Sequence, residues 1–311
     1  MTDDRDKADA DTDVFERPSA GQPAEPDQRW VALPHAGMLS VEDADALLRW
    51  RAASLVAIVG ERNGGKTTLI TEIYERFLRG PFAGSLFSHS LSLLGFGRKS
   101  FQSRAESGAE RPDTPRTSKQ DGLSFFHLAV SGEADLRRTD LLISERAGEV
   151  YREVRDRPAR ATDLIEVRKA RIVAFIIDGE RVADNRRRAE AIASVRSIAR
   201  AFADAGAIAA DAEVQAVITK CDLLRGDGSV GALDALSAFE EQFVTTYKDR
   251  FATVSTHRTA ARDPDGVVEP ALGLAPLLRS WLLPVPRAAI KKAPLPQLSD
   301  EFDRLLVRSG G

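Results

Sequence analysis

Gly60-Glu61-Arg62-Asn63-Gly64-Gly65-Lys66-Thr67 decides the fold of this 311-residue chain. The run fits G-x-x-x-x-G-K-[ST]. Before it stands Ser54–Gly60 (SLVAIVG), a short β-branched apolar strand; after it, Lys66–Leu78 (KTTLITEIYERFL) has helical periodicity and stops at Gly80-Pro81. A loop that closes a strand and opens a helix turns successive backbone N–H groups inward, making an anion nest at the positive end of the helix. Gly60 and Gly65 permit the tight turn and the close approach of phosphate oxygens. The backbone of Glu61, Arg62, Asn63, Gly64 and Thr68 completes the cradle. Lys66 then places a point charge at the β- and γ-phosphates, and the Thr67 hydroxyl can ligate Mg²⁺.

Outward from this loop, strands alternate with helices. Leu123–Val130, Asp140–Ser144, Arg171–Ile177, Glu213–Thr219 and Arg250–Ser255 read as strands. Val41–Trp50 (N-capped by Ser40), the end of a helix at Thr162–Lys169, Asn185–Ala205, Ala232–Tyr247 and Gly273–Leu283 read as helical. The strongest strands are apolar without clean alternation, which predicts a mostly parallel sheet covered by helices on both faces, an α/β P-loop fold. One domain is expected over residues 30–283, between an acidic, disordered tail (1–29) and a Pro-rich tail (284–311). Phe82 to about Gln120, rich in Gly, Ser, Pro and Arg, resolves into no regular element and reads as a long functional loop or insertion.

The loop alone does not separate ATP from GTP. Thr219-Lys220-Cys221-Asp222, directly after a strand, bears on that choice. An aspartate there can accept two hydrogen bonds from guanine, N1–H and the exocyclic amine; adenine offers no such pair and would leave a carboxylate unsatisfied. Lys220 can lay its aliphatic stem over the base.

In this order the motifs resemble those of the Ras-like and translation-factor-like GTPases. Thr219–Asp222 is similar to their N/T-K-x-D guanine motif, with Thr for the usual Asn. Glu145-Arg146-Ala147-Gly148-Glu149 stands where they keep D-x-x-G, with Glu for Asp. The resemblance implies that Gly148 offers its N–H to the γ-phosphate and that Glu145 holds Mg²⁺ through water. It also implies that Glu149 stands where a Gln orients the attacking water, so intrinsic hydrolysis is expected to be slow. Asp113–Thr117 lies where the family keeps the switch threonine that ligates Mg²⁺. Thr114 and Thr117 are both candidates, Thr117 preferred. Ser255-Thr256 corresponds to a loop that contacts guanine O6. GERNGGKT is also similar to the G-x-P-N-x-G-K-S loop of GTPases in which the Asn, here Asn63, helps to bind K⁺. The 82–120 segment and P-D-T-P-R-T-S…G-L-x-F-x-H-L resemble the bacterial double-GTPase group of conflict and signalling systems, which implies protein effectors or activators.

The bulk composition fits this expectation. The net charge of −3 calls for no nucleic acid or anionic membrane, and one cysteine, Cys221, excludes an intramolecular disulfide framework. No apolar run approaches the roughly 20 residues a bilayer requires, so a soluble, cytoplasmic protein is expected. GTP or GDP with Mg²⁺, and K⁺ at Asn63, are the expected cofactors. Two alternatives stay open: an ATPase or kinase of the same fold, and a nucleotide-binding scaffold with little turnover.

Overall fold

A computed structural model describes residues 36–102, 122–224, 230–262 and 269–283, all within one contact unit spanning Pro34–Gly311. Seven strands form one sheet in the order β2-β3-β4-β1-β5-β6-β7. They are β1 (Ala53–Val59), β2 (Ser85–His89), β3 (Ser124–Gly132), β4 (Arg138–Glu145), β5 (Ile172–Asp178), β6 (Glu213–Thr219) and β7 (Thr253–Arg258). The β4-β1-β5-β6-β7 portion is parallel, whereas β2 and β3 join antiparallel at one edge. The α/β class and the mostly parallel sheet read from the sequence are therefore present.

Each central strand is apolar on both faces because each face is roofed. Val56 and Ile58 of β1 pack with Leu69, Ile73 and Phe77 of α2 (Lys66–Leu78), Phe96 of α3 (Leu93–Gln102) and Leu274–Trp281 of α9 (Leu274–Leu282). Ala57 and Val59 point the other way. They meet Tyr151 and Val154 of α4 (Gly148–Asp156), Val195 and Phe202 of α7 (Arg188–Asp204), and Phe239 and Phe243 of α8 (Val230–Tyr247). The short helices α5 (Ile165–Arg168) and α6 (Gly179–Ala183) complete that second layer. α1 (Val41–Trp50) starts on a capping box in which Ser40 and Asp43 satisfy each other's backbone N–H, and its Leu47 packs on Phe125 and Leu142.

Several elements depart from the sequence reading. The 82–120 segment is not irregular throughout: it holds β2 and α3, which are short and expose Leu86, Phe87, Leu93 and Leu94 while α3 buries Phe96 and Ser100, so their apolar residues do not map onto one buried face. Thr162–Lys169 is not one helix end but a 3₁₀ turn at Pro158–Asp163 followed by α5. α4 and α6 were not read as helices at all. The two tails and the Thr114/Thr117 switch candidates lie outside the described residues.

Candidate functional site

β1 pairs with β4 only as far as Val56, and beyond that point Ser144 Oγ accepts the Ile58 N–H at 2.9 Å. The chain then turns through residues 60–65 into α2. Gly65 is the N-cap of α2 at φ +80°, a left-handed conformation that costs glycine little, so no side chain fills the helix end. Lys66 is buried and its Nζ donates to the carbonyl oxygens of Gly60 (3.0 Å) and Glu61 (2.9 Å), folding back across the loop it follows. Burial pulls this ammonium below the usual lysine range, while Glu145, Glu149 and Glu61 act to hold its proton.

Four other segments converge on the loop. Thr67 Oγ1 donates to Glu145 Oε1 at 2.6 Å, joining the first turn of α2 to the carboxyl end of β4. Gly148 opens α4 flush against the loop backbone: a Cβ there would strike Arg62 N and the Glu61 carbonyl carbon and come within 2.7 Å of Arg62 Cα. Only glycine fits so close an approach. Thr219 Oγ1 donates to Gly64 O (2.8 Å) and Ile177 O (3.1 Å), tying the end of β6 to the loop. Lys220, at φ +53°, pairs with Asp178 Oδ1 (3.0 Å) and Glu180 Oε2 (2.7 Å), and these partners hold its proton against the pull of burial. Asp222 follows, half-buried, in the 3₁₀ turn Cys221–Leu224. Burial pushes the Cys221 thiol up to about 11, so it is a packing residue and not a thiolate.

Ser255 and Thr256 require a correction. β7 runs on to Arg258, so both lie inside the strand and not in the loop after it. That loop is Thr259-Ala260-Ala261. Thr259 is fully buried; its N–H and Oγ1 both donate to Ile218 O (2.7 and 3.0 Å), and its carbonyl accepts from Cys221 N–H at 3.0 Å. Ala260 N–H donates to Leu272 O. The turn holding Asp222 is thereby stitched to the end of β7.

Sequence reasoning placed the Glu61 backbone in the cradle but gave its side chain no role. Its carboxylate accepts from Arg181 Nη1 (2.6 Å), Arg155 Nη1 (2.8 Å) and Ser194 Oγ (2.8 Å), on α6, α4 and α7. Burial works to raise this carboxyl, but the hydrogen bonds and positive charges outweigh it, and it titrates below the ordinary range. Beside this cluster a cleft of about 470 Å³ opens between loop, α4 and α7, lined by Arg62, Asn63, Glu149, Arg152, Asp178 and Arg187 among others. Asp178 was visible as the polar end of the strongest strand. The partners of Glu61 lie 94 to 133 residues away and left no local signal.

The chain thus joins a strand-loop-helix turn, a carboxylate bonded to the threonine of the first helical turn and a glycine pressed on the loop. The model of the Double-GTPase 2 family matches residues 54–282. The chain belongs to that family. It is thus a P-loop GTPase of the double-GTPase group, and guanine-nucleotide binding comes with that membership. Among solved structures it is similar to the signal recognition particle receptor SRb-GTP/SRX complex from Chaetomium thermophilum, at 16% identity and a TM-score of 0.41. That match covers 75% of this chain and 97% of the other. It is also similar to the Ski7 GTPase-like domain of S. cerevisiae bound to GDP and inorganic phosphate, at 12% identity and a TM-score of 0.41, covering 76% of this chain and 51% of the other. No curated protein matches it.

Proposed function

We propose that this double-GTPase binds GTP with Mg²⁺ at residues 60–68, hydrolyses it slowly, and works as a cytoplasmic switch with protein partners. One observation carries the reading: the Thr67–Glu145 hydrogen bond of 2.6 Å, beside Gly148 pressed on the loop, unites a cation-ligating pair with a backbone donor at the γ-phosphate end. A hydroxyl and a carboxylate are hard oxygen donors of the kind Mg²⁺ takes, so the residues present fit the ion. Thr67 would hold it directly and Glu145 through water; when bound, Mg²⁺ neutralises charge on the β- and γ-oxygens. The glutamate spans the extra reach that its additional methylene gives it over aspartate. Lys66 and the loop amides bind and orient the phosphates, and the Gly148 N–H meets the terminal one. Asp222 would read guanine, with Lys220 beside the base and the Thr259–Ala261 loop, in place of Ser255-Thr256, closing the base end. Of the two switch candidates, Thr114 and Thr117, Thr117 is preferred.

Glu149 favours a second reading, a nucleotide-binding scaffold with little turnover. An ionised carboxylate accepts hydrogen bonds but donates none, so it cannot orient water as an amide does. Unhydrolysed GTP after overnight incubation with a candidate activator would select that reading. K⁺ at Asn63 is the other device proposed for supplying positive charge, and equal GTP turnover in K⁺ and Na⁺ buffers would dispose of it.

The deciding experiment is calorimetry with GTP, GDP and ATP, with and without Mg²⁺, on wild type and Lys66→Ala. Guanine nucleotides are expected to bind wild type, ATP at least about 100-fold more weakly, as a site built to hydrogen-bond one base rejects the other. Lys66→Ala is expected to lose the triphosphate preference. Asp222→Asn, which turns one acceptor into a donor, should shift preference from GTP toward xanthosine triphosphate. Equal binding of ATP and GTP would sink the assignment.

A further inference from the structure

We propose that Glu61 is a positioning residue for γ-phosphate recognition, its carboxylate clamping the switch helix α4 onto the second residue of the phosphate loop. The inference rests on the reading of residues 60–68 and Gly148 as the triphosphate end of the site. Glu61 does two jobs at once. Its carbonyl oxygen accepts from Lys66 Nζ, and its carbonyl carbon stands against Gly148, the first residue of α4. Its side chain reaches past the loop to Arg155 on the same helix, and to Arg181 and Ser194. Arg155 Nη1 also meets Ser194 Oγ at 3.3 Å, so α4 and α7 share the clamp.

Helix geometry makes the clamp effective. Gly148, Tyr151, Val154 and Arg155 recur at intervals of three, three and one, which places them on one face. The first three are buried, and the Arg155 side chain is 20% exposed beside a Glu61 at 14%. A helix held both at its first residue and two turns along keeps little freedom to tilt or roll, so the Gly148 N–H is aimed before any phosphate arrives. The price is a carboxylate placed next to an anion site, which Coulomb repulsion would make unfavourable. Arg155 and Arg181 neutralise it, and no phosphate-binding role of the second loop position calls for an acid.

The clamp's effect follows from population. A ligand that contacts the docked helix binds with an affinity scaled by the docked fraction, while a ligand lacking that contact is indifferent to it. GTP has the γ-phosphate that meets Gly148; GDP does not. Loosening the clamp should therefore weaken triphosphate binding selectively.

The test uses the full-length chain with Mg²⁺, titrated with a non-hydrolysable GTP analogue and with GDP, for wild type, Glu61→Gln, Arg155→Gln and Arg155→Lys. Arg155→Gln removes the α4 arm, with its bonds to Ser194 and to the neighbouring Asp156, and leaves Glu61 neutralised by Arg181, so it reports even if Glu61→Gln folds poorly. Triphosphate affinity is expected to fall tenfold or more in both Gln variants, with GDP affinity changed less than threefold and Arg155→Lys recovering part of the loss. Parallel weakening of both nucleotides, or no change in either, overturns the clamp. If wild type binds neither nucleotide, the underlying site assignment fails, and that outcome is visible before any variant is measured.

Discussion

The Thr67 hydroxyl and the Glu145 carboxylate lie 78 residues apart in sequence and 2.6 Å apart in space. That meeting places one residue's contribution to Mg²⁺ within reach of measurement. Thr67→Ala deletes the proposed direct oxygen ligand but leaves every loop amide in place. GTP affinity in Mg²⁺ is expected to fall about 10- to 100-fold, as removal of a ligand or its partner does at metal sites, with affinity in EDTA shifted less than about threefold. Equal losses with and without Mg²⁺, read by calorimetry, would show that the hydroxyl merely braces the loop. At this scale the phosphate loop was legible because its chemistry fixes a spacing that eight consecutive residues display. The base end was less so. In Phe251-Ala-Thr-Val-Ser-Thr-His-Arg258 no glycine or proline marks where the strand stops, and buried Phe251, which lies in the turn, looks like its start. The strand was therefore read three residues early, and Ser255-Thr256 was placed in the loop that begins at Thr259.

Among the elements, those beside function were hardest to see. α4 begins without a side-chain cap on Ala147, because its N-terminus faces the phosphate loop, and it buries just Gly148, Tyr151 and Val154 in nine residues. Charge dominates the rest, so hydrophobic periodicity said little. The β2–α3 segment escaped notice for a different reason: its attachment is non-local, Phe96 packing on Tyr74 and Phe126 and the rest held by polar contacts. Buried His127 on β3 holds it. Its ring Nδ1 accepts the Leu91 N–H (3.0 Å), which assigns the proton to Nε2, facing Asp140 Oδ1 at 3.0 Å. Its main chain bonds the hydroxyls of Ser90 and Ser92. Burial lowers the imidazole's affinity for a proton; Asp140 opposes this, while His89 and Arg138 add to it, and the net direction is down from the ordinary 6.5. The ring therefore stays neutral when folded but takes a proton near 6.5 when unfolded. Its contribution to stability is complete above that pH and is lost as pH falls toward the folded value. Thermal midpoints should drop between pH 7.5 and 5.5. His127→Gln, which keeps a donor for Asp140 but does not titrate, should reduce the drop, leaving a remainder from His257, also shifted down by burial. An unchanged slope in the variant would exclude His127 as its source.

For the whole molecule, the question is how two hydrophobic layers behave as one body. Side chains alternate along β1, so Val56 and Ile58 belong to the α2–α9 layer and Ala57 and Val59 to the α4–α8 layer. The phosphate loop continues the same strand. From it α2 enters one layer, while Glu61 and the backbone beside Gly148 hold α4 in the other. A nucleotide bound as proposed, between loop, α2 and α4, would touch both layers and should stabilise them together. Linkage sets the size: ligand at 100 times its Kd adds about 2.7 kcal/mol. For a domain of this size each kcal/mol moves the midpoint by about 2–4 °C, so GTP with Mg²⁺ should raise it by about 5–10 °C in a single transition. ATP at the same concentration should leave it nearly unmoved, since adenine lacks the N1–H and amine pair that Asp222 is proposed to bind. Scanning calorimetry decides the matter. Two resolved transitions of which GTP moves only one would mean that the layers unfold separately and that the loop does not couple them.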